Sequence, residues 1–395
     1  MATEVHPTQI QLGESTLGRR DRDFYIDCLR SVMIALVILQ HTAITYGAAG
    51  LWFYRELDFS ATLSSVILTV FNSTNQAYFM GILFLLAGYF TPASLERKGF
   101  GRFLCDRFLR LGLPLLVFGL LLGPITIAMA KTTKGHEFWP TLVQIWNQRE
   151  FIPGPLWFLQ ALLMFSLVYC GWRAWLGAPI TGAQRSPRPV PGYRWWLLSA
   201  AGVGAAALAI RQVFPTGVEV FGLQLGFFAS YIFLFCLGIA AWRYDWLRQL
   251  QWQNARPWIR SLPFIWLPMA VTVTVTVLLN SSNAPGKNGG PGGLSWTAIV
   301  YAFWEPFIAW GLIAAWLLVF RRYMNEPSAI WTWLNRRSYA VYIVHTVVLV
   351  GISLLFRGWA APALFKFAVI GTLACIASWI LVDPLVRVPG VRQIV

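Results

Sequence analysis

Apolar runs of about the same length recur along the chain, separated by short polar and basic segments. They fall at about 29–48, 76–95, 110–130, 155–176, 195–211, 223–242, 262–280, 296–320, 338–356 and 362–383. Most reach the roughly 20 residues that an α-helix needs to cross the hydrocarbon core of a bilayer. The pattern predicts an all-α, polytopic membrane protein with about ten transmembrane helices. One run breaks the rhythm. Ser60–Phe71 is too short to cross and is expected to lie at the outer surface as an interfacial or re-entrant piece. It leads into the polar cluster Asn72-Ser73-Thr74-Asn75-Gln76 at the outer end of the second span. The Gly/Pro/Asn-rich stretch Asn280–Gly293 reads as an outer surface loop, and the linker Gly177–Tyr193, with four prolines, as irregular.

The basic residues then sort themselves. With these spans, 23 of the 31 lysines and arginines fall on one side and 8 on the other. By the positive-inside rule the rich side is cytoplasmic, and so are both termini. The expected organisation is a cytoplasmic tail at 1–24, a transmembrane domain at 25–384 and a second cytoplasmic tail at 385–395. The N-terminus has no signal peptide, so the first span is expected to stay as an uncleaved anchor. Composition agrees: 57% of residues are hydrophobic and 12% charged, with mean hydropathy +0.58. The net charge of +15 raises nucleic acid as a partner. Scattered basic residues between apolar runs, with no single patch, exclude it. The partner is the lipid bilayer. The five cysteines form no C-x-x-C pair and read as small buried hydrophobes, with no metal site implied.

Against this background, ionisable groups within the spans are the candidates for chemistry, because burying them in a bilayer is costly. Arg30 and His41 are eleven residues apart on the first span. Eleven residues make three turns plus roughly 20°, so the two share a face, separated by about 16 Å along the axis. Asp27, one turn before Arg30, can hold its guanidinium in place. Arg107 and Arg110, three residues apart at the inner start of the third span, point the same way and suit a phosphate group. Three guanidiniums at one mouth suit a ligand with several phosphates. Glu305, about nine residues in from the outer end of its span, can orient His41 or pair with Lys366; the sequence leaves both open. Trp157, in Gly154-Pro155-Leu156-Trp157-Phe158-Leu159-Gln160, suits an interfacial anchor, and Gln160 lies one turn deeper. Ser338, Tyr342 and His345 share a helix face, with His345 expected to hydrogen-bond a neighbouring helix. The run Leu85-Ala87-Gly88-Tyr89 reads as close helix packing.

Asp27-x-Leu29-Arg30-x10-His41, Leu85-Ala87-Gly88-Tyr89, Arg107-x-x-Arg110, Leu156-Trp157-Phe158-Leu159 and Ser338-Tyr339 through His345 together resemble the acyltransferase 3 family of bacterial membrane proteins, which includes the glucan succinyltransferase type. The resemblance implies transfer of an acetyl or succinyl group from cytoplasmic acyl-coenzyme A, as co-substrate, to a hydroxyl of a glycan or other exported molecule, in the inner membrane. It implies roles for Arg30, Arg107 and Arg110 toward the donor and for His41 in catalysis. It also implies no permanently bound cofactor. Some members carry an extra SGNH-type domain, which is not expected here, since only about ten residues follow the last span. His41 can act as a proton acceptor or form an acyl-histidine. Asn72, Asn75, Gln76 or Gln160 can donate to the developing oxyanion. The alternative function is a proton-coupled secondary transporter, using His41, Glu305, His345 and Lys366; internal repeats, which favour that class, are not visible.

Overall fold

In a computed structural model the described residues are 23–177, 186–279 and 294–394. Residues 1–22 of the expected tail, the whole outer loop 280–293 and residues 178–185 of the linker fall outside them. Fourteen α-helices follow in order: α1 Phe24–Thr45, α2 Leu63–Arg107, α3 Leu113–Val117, α4 Gly123–Lys131, α5 Phe138–Asn147, α6 Trp157–Trp175, α7 Tyr193–Val213, α8 Phe228–Tyr244, α9 Trp246–Gln249, α10 Trp252–Leu279, α11 Trp296–Tyr323, α12 Ala329–Leu355, α13 Ala363–Arg387 and α14 Pro389–Ile394. No β-sheet forms among the described residues.

Nine helical stretches among these residues are long and apolar enough to cross a membrane. One of them, Leu63–Lys134, spans 72 residues. Unbroken, it would extend about 108 Å, several times the hydrocarbon core. It is folded back on itself at Gly99, whose φ of 72° and ψ of 169° are outside the helical region and favour glycine. Lys98 and Asp106 close an ion pair of 2.8 Å across the turn. Before the turn Asn72 reaches the Ala49 carbonyl; after it Ala130 packs with Tyr54, in the same loop. The stretch therefore runs out and back as two limbs, so the described residues hold ten limbs long and apolar enough to cross, in keeping with the expected number.

The short piece expected at Ser60–Phe71 is corrected: from Leu63 onward it is the first part of α2. Thr62 caps the helix by accepting from the Ser65 amide. The polar cluster after it does not break the helix, because four of its five side chains find partners, Asn75 by accepting from the Tyr78 hydroxyl. Asn72 donates to the Ala49 carbonyl, Thr74 to the Val70 carbonyl, and Gln76 to Tyr231. Since the run extends a span rather than adding one, the loop assignment is unaffected.

Helix α1 packs against α2, α11, α12 and α13, which fits its nearly continuous apolar surface. Helices α2 and α8 meet backbone to backbone. A Cβ on Gly88 would lie 2.1 Å from the Phe235 carbonyl oxygen, and one on Gly238 2.1 Å from that of Leu85, so the expected packing role of Gly88 is met.

The second limb of the folded stretch is interrupted by two π-helical turns, Phe108–Gly112 and Phe118–Leu122, which precede Pro114 and Pro124. Each proline lacks an amide for the carbonyl four residues earlier. Aromatic donors take those places: Tyr339 gives its hydroxyl hydrogen to the Arg110 carbonyl, and the Trp146 indole donates to the Leu120 carbonyl at 2.9 Å.

Helix ends of like kind gather. The start of α1 meets the α11–α12 connection through Tyr25 and Asn325, Arg321 at the end of α11 bonds carbonyls after α8, and Arg337 pairs with Asp383. This is the arginine end of the bundle. The loop between α1 and α2 lies at the opposite end.

Candidate active site

Arg30, Arg107 and Arg110 line one cavity of about 460 Å³ at the arginine end. Arg97 and Lys98 line it too, so five cationic side chains face one carboxylate, Asp106. Asp106 pairs with Lys98 and also with Arg110, at 3.1 Å. Arg30 stands 3.8 Å from Asp27, the pairing expected from their spacing. The Arg107 guanidinium lies over the Phe103 ring at 4.8 Å. Arg30 and Arg110 are half-exposed, at 51% and 54%, so solvent reaches this charge. The deeper walls are apolar, with Ile34, Leu83, Leu86, Phe158 and Leu162, and reach Tyr342. The cavity thus has a cationic rim, of the charge that suits a polyanion, and an apolar depth.

From Tyr342 a series of rings continues to His41. The Tyr342 hydroxyl is held by the Pro155 carbonyl. Its ring lies 5.8 Å from that of His345, centroid to centroid. His345 is 5.6 Å from His41 at an interplanar angle of 16°. His41 is stacked on Trp52 at 3.8 Å and 13°. Helix periodicity accounts for the approach: Ser338, Tyr339 and Tyr342 line the cavity on one face of α12, and His345 follows one turn on. The expected helix-to-helix hydrogen bond of His345 is corrected. Its Nδ1 bonds the Tyr342 carbonyl of its own helix, at 2.7 Å.

Trp52 belongs to the loop between α1 and α2, and that loop is fastened at several points. The Glu56 and Leu57 amides bond the Thr45 carbonyl at 3.0 and 3.1 Å, the Ala49 amide bonds Thr69 at 3.0 Å, and the Lys366 ammonium pairs with the Glu56 carboxylate. Burial pushes the Tyr54 phenol in this loop above its ordinary value, with the Glu56 carboxylate adding to the shift.

The Glu305 expectation is corrected in both forms. Its carboxylate pairs with Arg211, and both side chains are fully buried. Arg211 also donates from Nε to the Gly226 carbonyl at 2.9 Å, and its guanidinium lies over the Tyr301 ring at 4.9 Å. Lys366 is taken by Glu56 instead. The sequence counts Arg211 as an outer-end charge on α7, whereas the fold turns it into the protein against α11, where an unpaired carboxylate would be costly.

The remaining candidates separate. Gln76 accepts from Gln40, the neighbour of His41, at 2.9 Å, and donates to the Tyr231 hydroxyl at 3.0 Å. Trp157 stacks on Tyr231 at 5.5 Å, so these two form a polar and aromatic group beside α1. Asn72 is engaged by the Ala49 carbonyl, Asn75 by the Tyr78 hydroxyl and Gln160 by the Phe221 carbonyl. Trp52 and Asp106 were not singled out from sequence. The aromatic run Trp52-Phe53-Tyr54 in a loop is the available signal for Trp52.

The family model described as an acyltransferase domain, acyltransferase 3, matches residues 23–383. The chain belongs to the acyltransferase 3 family. All the elements that build the cavity and the ring series lie inside the matched region. Curated relatives of the chain include glucans biosynthesis protein C of Salmonella gallinarum, 30% identical over 172 residues, covering 42% of this chain and 43% of that protein. The protein of the same name from Salmonella enteritidis PT4 is 28% identical over 196 residues, 49% of each chain. The alignment spans about half the length of these relatives or less. No solved structure matches this acyltransferase 3 chain.

Proposed function

We infer that the protein is a membrane-embedded O-acyltransferase that moves an acetyl or succinyl group from acyl-coenzyme A to a hydroxyl of a glycan. In this reading the arginine end faces the cytoplasm, the membrane is the bacterial inner membrane and the acceptor arrives from the opposite end. The observation that carries it is the convergence of Arg30, Arg107 and Arg110 on one cavity whose apolar depth ends at Tyr342, two rings from His41. Coenzyme A has a polyphosphate head and a long thin arm that ends in the thioester. The guanidiniums suit the phosphates, the apolar walls suit the arm, and His41 lies about 16 Å along the axis from Arg30. A glucan as the acceptor draws on the names of the relatives.

In the transfer, the acceptor oxygen bonds the acyl carbon while its hydrogen passes to the His41 imidazole. The carbon–sulfur bond then breaks and the thiolate takes that hydrogen back. Neutral imidazole is the form that can accept it. The transporter alternative is weakened by the pairing of Glu305 with Arg211 and of Lys366 with Glu56, which takes a carboxylate and an amine out of any proton path with His41.

The test is transfer of radiolabel from acetyl- or succinyl-coenzyme A to a glucan oligosaccharide by the purified protein in lipid nanodiscs. Label in the glucan that is lost in His41→Ala supports the assignment. Movement of solute across liposomes with no covalent transfer would replace it with the transporter.

A further inference from the structure

His345 has one nitrogen whose state is fixed and one with nothing to bond. Its Nδ1 is 2.7 Å from the Tyr342 carbonyl oxygen. A carbonyl only accepts, so Nδ1 carries the hydrogen, and in the neutral ring Nε2 is a bare lone pair. The side chain is fully buried, at 0% exposure, and Nε2 has no partner among the described residues. Buried acceptors are nearly always satisfied, so this one points to a donor from a ligand. His41 Nδ1, on the adjacent ring, is likewise buried without a partner. Two imidazoles with centroids 5.6 Å apart and nearly parallel planes thus each present an unsatisfied nitrogen.

When His41 Nδ1 is the nitrogen that takes the reacting hydrogen, it too is a bare lone pair, and a single hydroxyl, with one hydrogen to give, cannot satisfy both. Two hydroxyls on neighbouring carbons can, and they are the commonest arrangement on a sugar ring. We propose that the two histidines together recognise an acceptor with neighbouring hydroxyls, His345 Nε2 accepting a hydrogen bond from the hydroxyl beside the one that reacts at His41. The proposal rests on the acyl-transfer reading and deepens it to a substrate class, a polyol rather than an isolated alcohol. The balance of the reaction is unchanged. The reacting hydroxyl loses its hydrogen to His41 as its oxygen bonds the acyl carbon, the carbon–sulfur bond breaks, and the thiolate recovers the hydrogen. His345 holds the neighbouring hydroxyl throughout and undergoes no net change.

The experiment uses the full chain in nanodiscs with acetyl-coenzyme A and methyl glucoside, together with its monodeoxy analogues. One analogue is expected to abolish transfer, marking the reacting position. A second, lacking a neighbouring hydroxyl, is expected to raise the acceptor KM about tenfold while leaving the donor KM unchanged, the size of one lost hydrogen bond. This arm needs no variant. In His345→Phe, which keeps a ring in the stack, the acceptor KM for methyl glucoside rises by the same factor. The deoxy analogue then costs nothing more, because both changes remove one contact. His345→Gln, which restores an acceptor atom, returns the KM toward that of the unchanged protein. A purely structural histidine would show additive losses in the Phe variant and no response to the neighbouring hydroxyl. Transfer at the same KM to every analogue that keeps the reacting hydroxyl overturns the inference while leaving the acyltransferase reading standing. Absence of transfer by the unchanged protein to any acceptor removes both.

Discussion

Tyr339 donates its hydroxyl hydrogen to the backbone carbonyl of Arg110, the carbonyl that Pro114, four residues on, leaves without an amide. The bond ties α12 to the π-helical turn that carries Arg110, so the rim of the cavity and the helix bearing His345 are one unit. The proline that interrupts the helix is what makes the carbonyl available.

Tyr339→Phe removes that tie while keeping the ring. The expected cost is about 1 kcal/mol of stability, one hydrogen bond, read as a lower midpoint in thermal unfolding in detergent. Because Arg110 sits on the released turn, coenzyme A binding is also expected to weaken severalfold. A variant with unchanged affinity would separate the tie from the rim's function.

Asp106 is the one carboxylate among five cationic side chains at the cavity. It holds Arg110 and Lys98 in ion pairs, and under the proposed donor site its charge opposes that of the phosphates. Asp106→Asn is therefore expected to tighten coenzyme A binding severalfold at low ionic strength, with the gain shrinking as salt screens the site. Calorimetric titration at two salt concentrations measures both. Weaker binding in Asp106→Asn would mean that the carboxylate serves to aim Arg110.

The Lys366–Glu56 pair fastens the loop whose Trp52 covers His41. Both side chains are about nine-tenths buried, so removing one leaves a buried charge. Lys366→Met alone and Glu56→Gln alone are each expected to lower stability by about 3 kcal/mol and to lower the transfer rate. The double change, which leaves neither charge, is expected to recover part of the stability. Additive losses in this cycle would show that the two residues are not energetically coupled.

Gly88 is held to glycine by the Phe235 carbonyl oxygen. Gly88→Val is expected to force α2 and α8 apart and to yield aggregated protein on size-exclusion chromatography, whereas Ala87→Val, one position along, is expected to give a monodisperse peak.

The parts legible in the sequence are those fixed by one helix's own periodicity. Arg30 and His41 share a face because eleven residues nearly complete three turns, and Arg107 with Arg110 follow the same rule. Gly88 was readable as a close approach because small residues have few other uses in a span. What escaped depends on which helix lies beside which. Glu305 needs Arg211, 94 residues earlier, and nothing in the spacing selects Arg211 over Lys366. Trp52 reaches His41 only because its loop folds back over the end of α1. The start of α2 is hidden in the sequence because the run Ser60–Phe71 is too short to cross by itself and is parted from the next apolar run by a polar cluster, which tertiary hydrogen bonds to the Ala49 carbonyl and Tyr231 hold within one helix.

The division between a binding rim and a reacting histidine is tested most directly by measuring coenzyme A affinity and single-turnover acyl transfer on the same preparations of Arg110→Ala and His41→Ala. The expected result is a split: Arg110→Ala binds the donor more weakly yet transfers at a near-normal rate when saturated, while His41→Ala binds normally and transfers nothing. Normal affinity with slowed transfer in Arg110→Ala, or transfer at full rate in His41→Ala, would contradict the assignment.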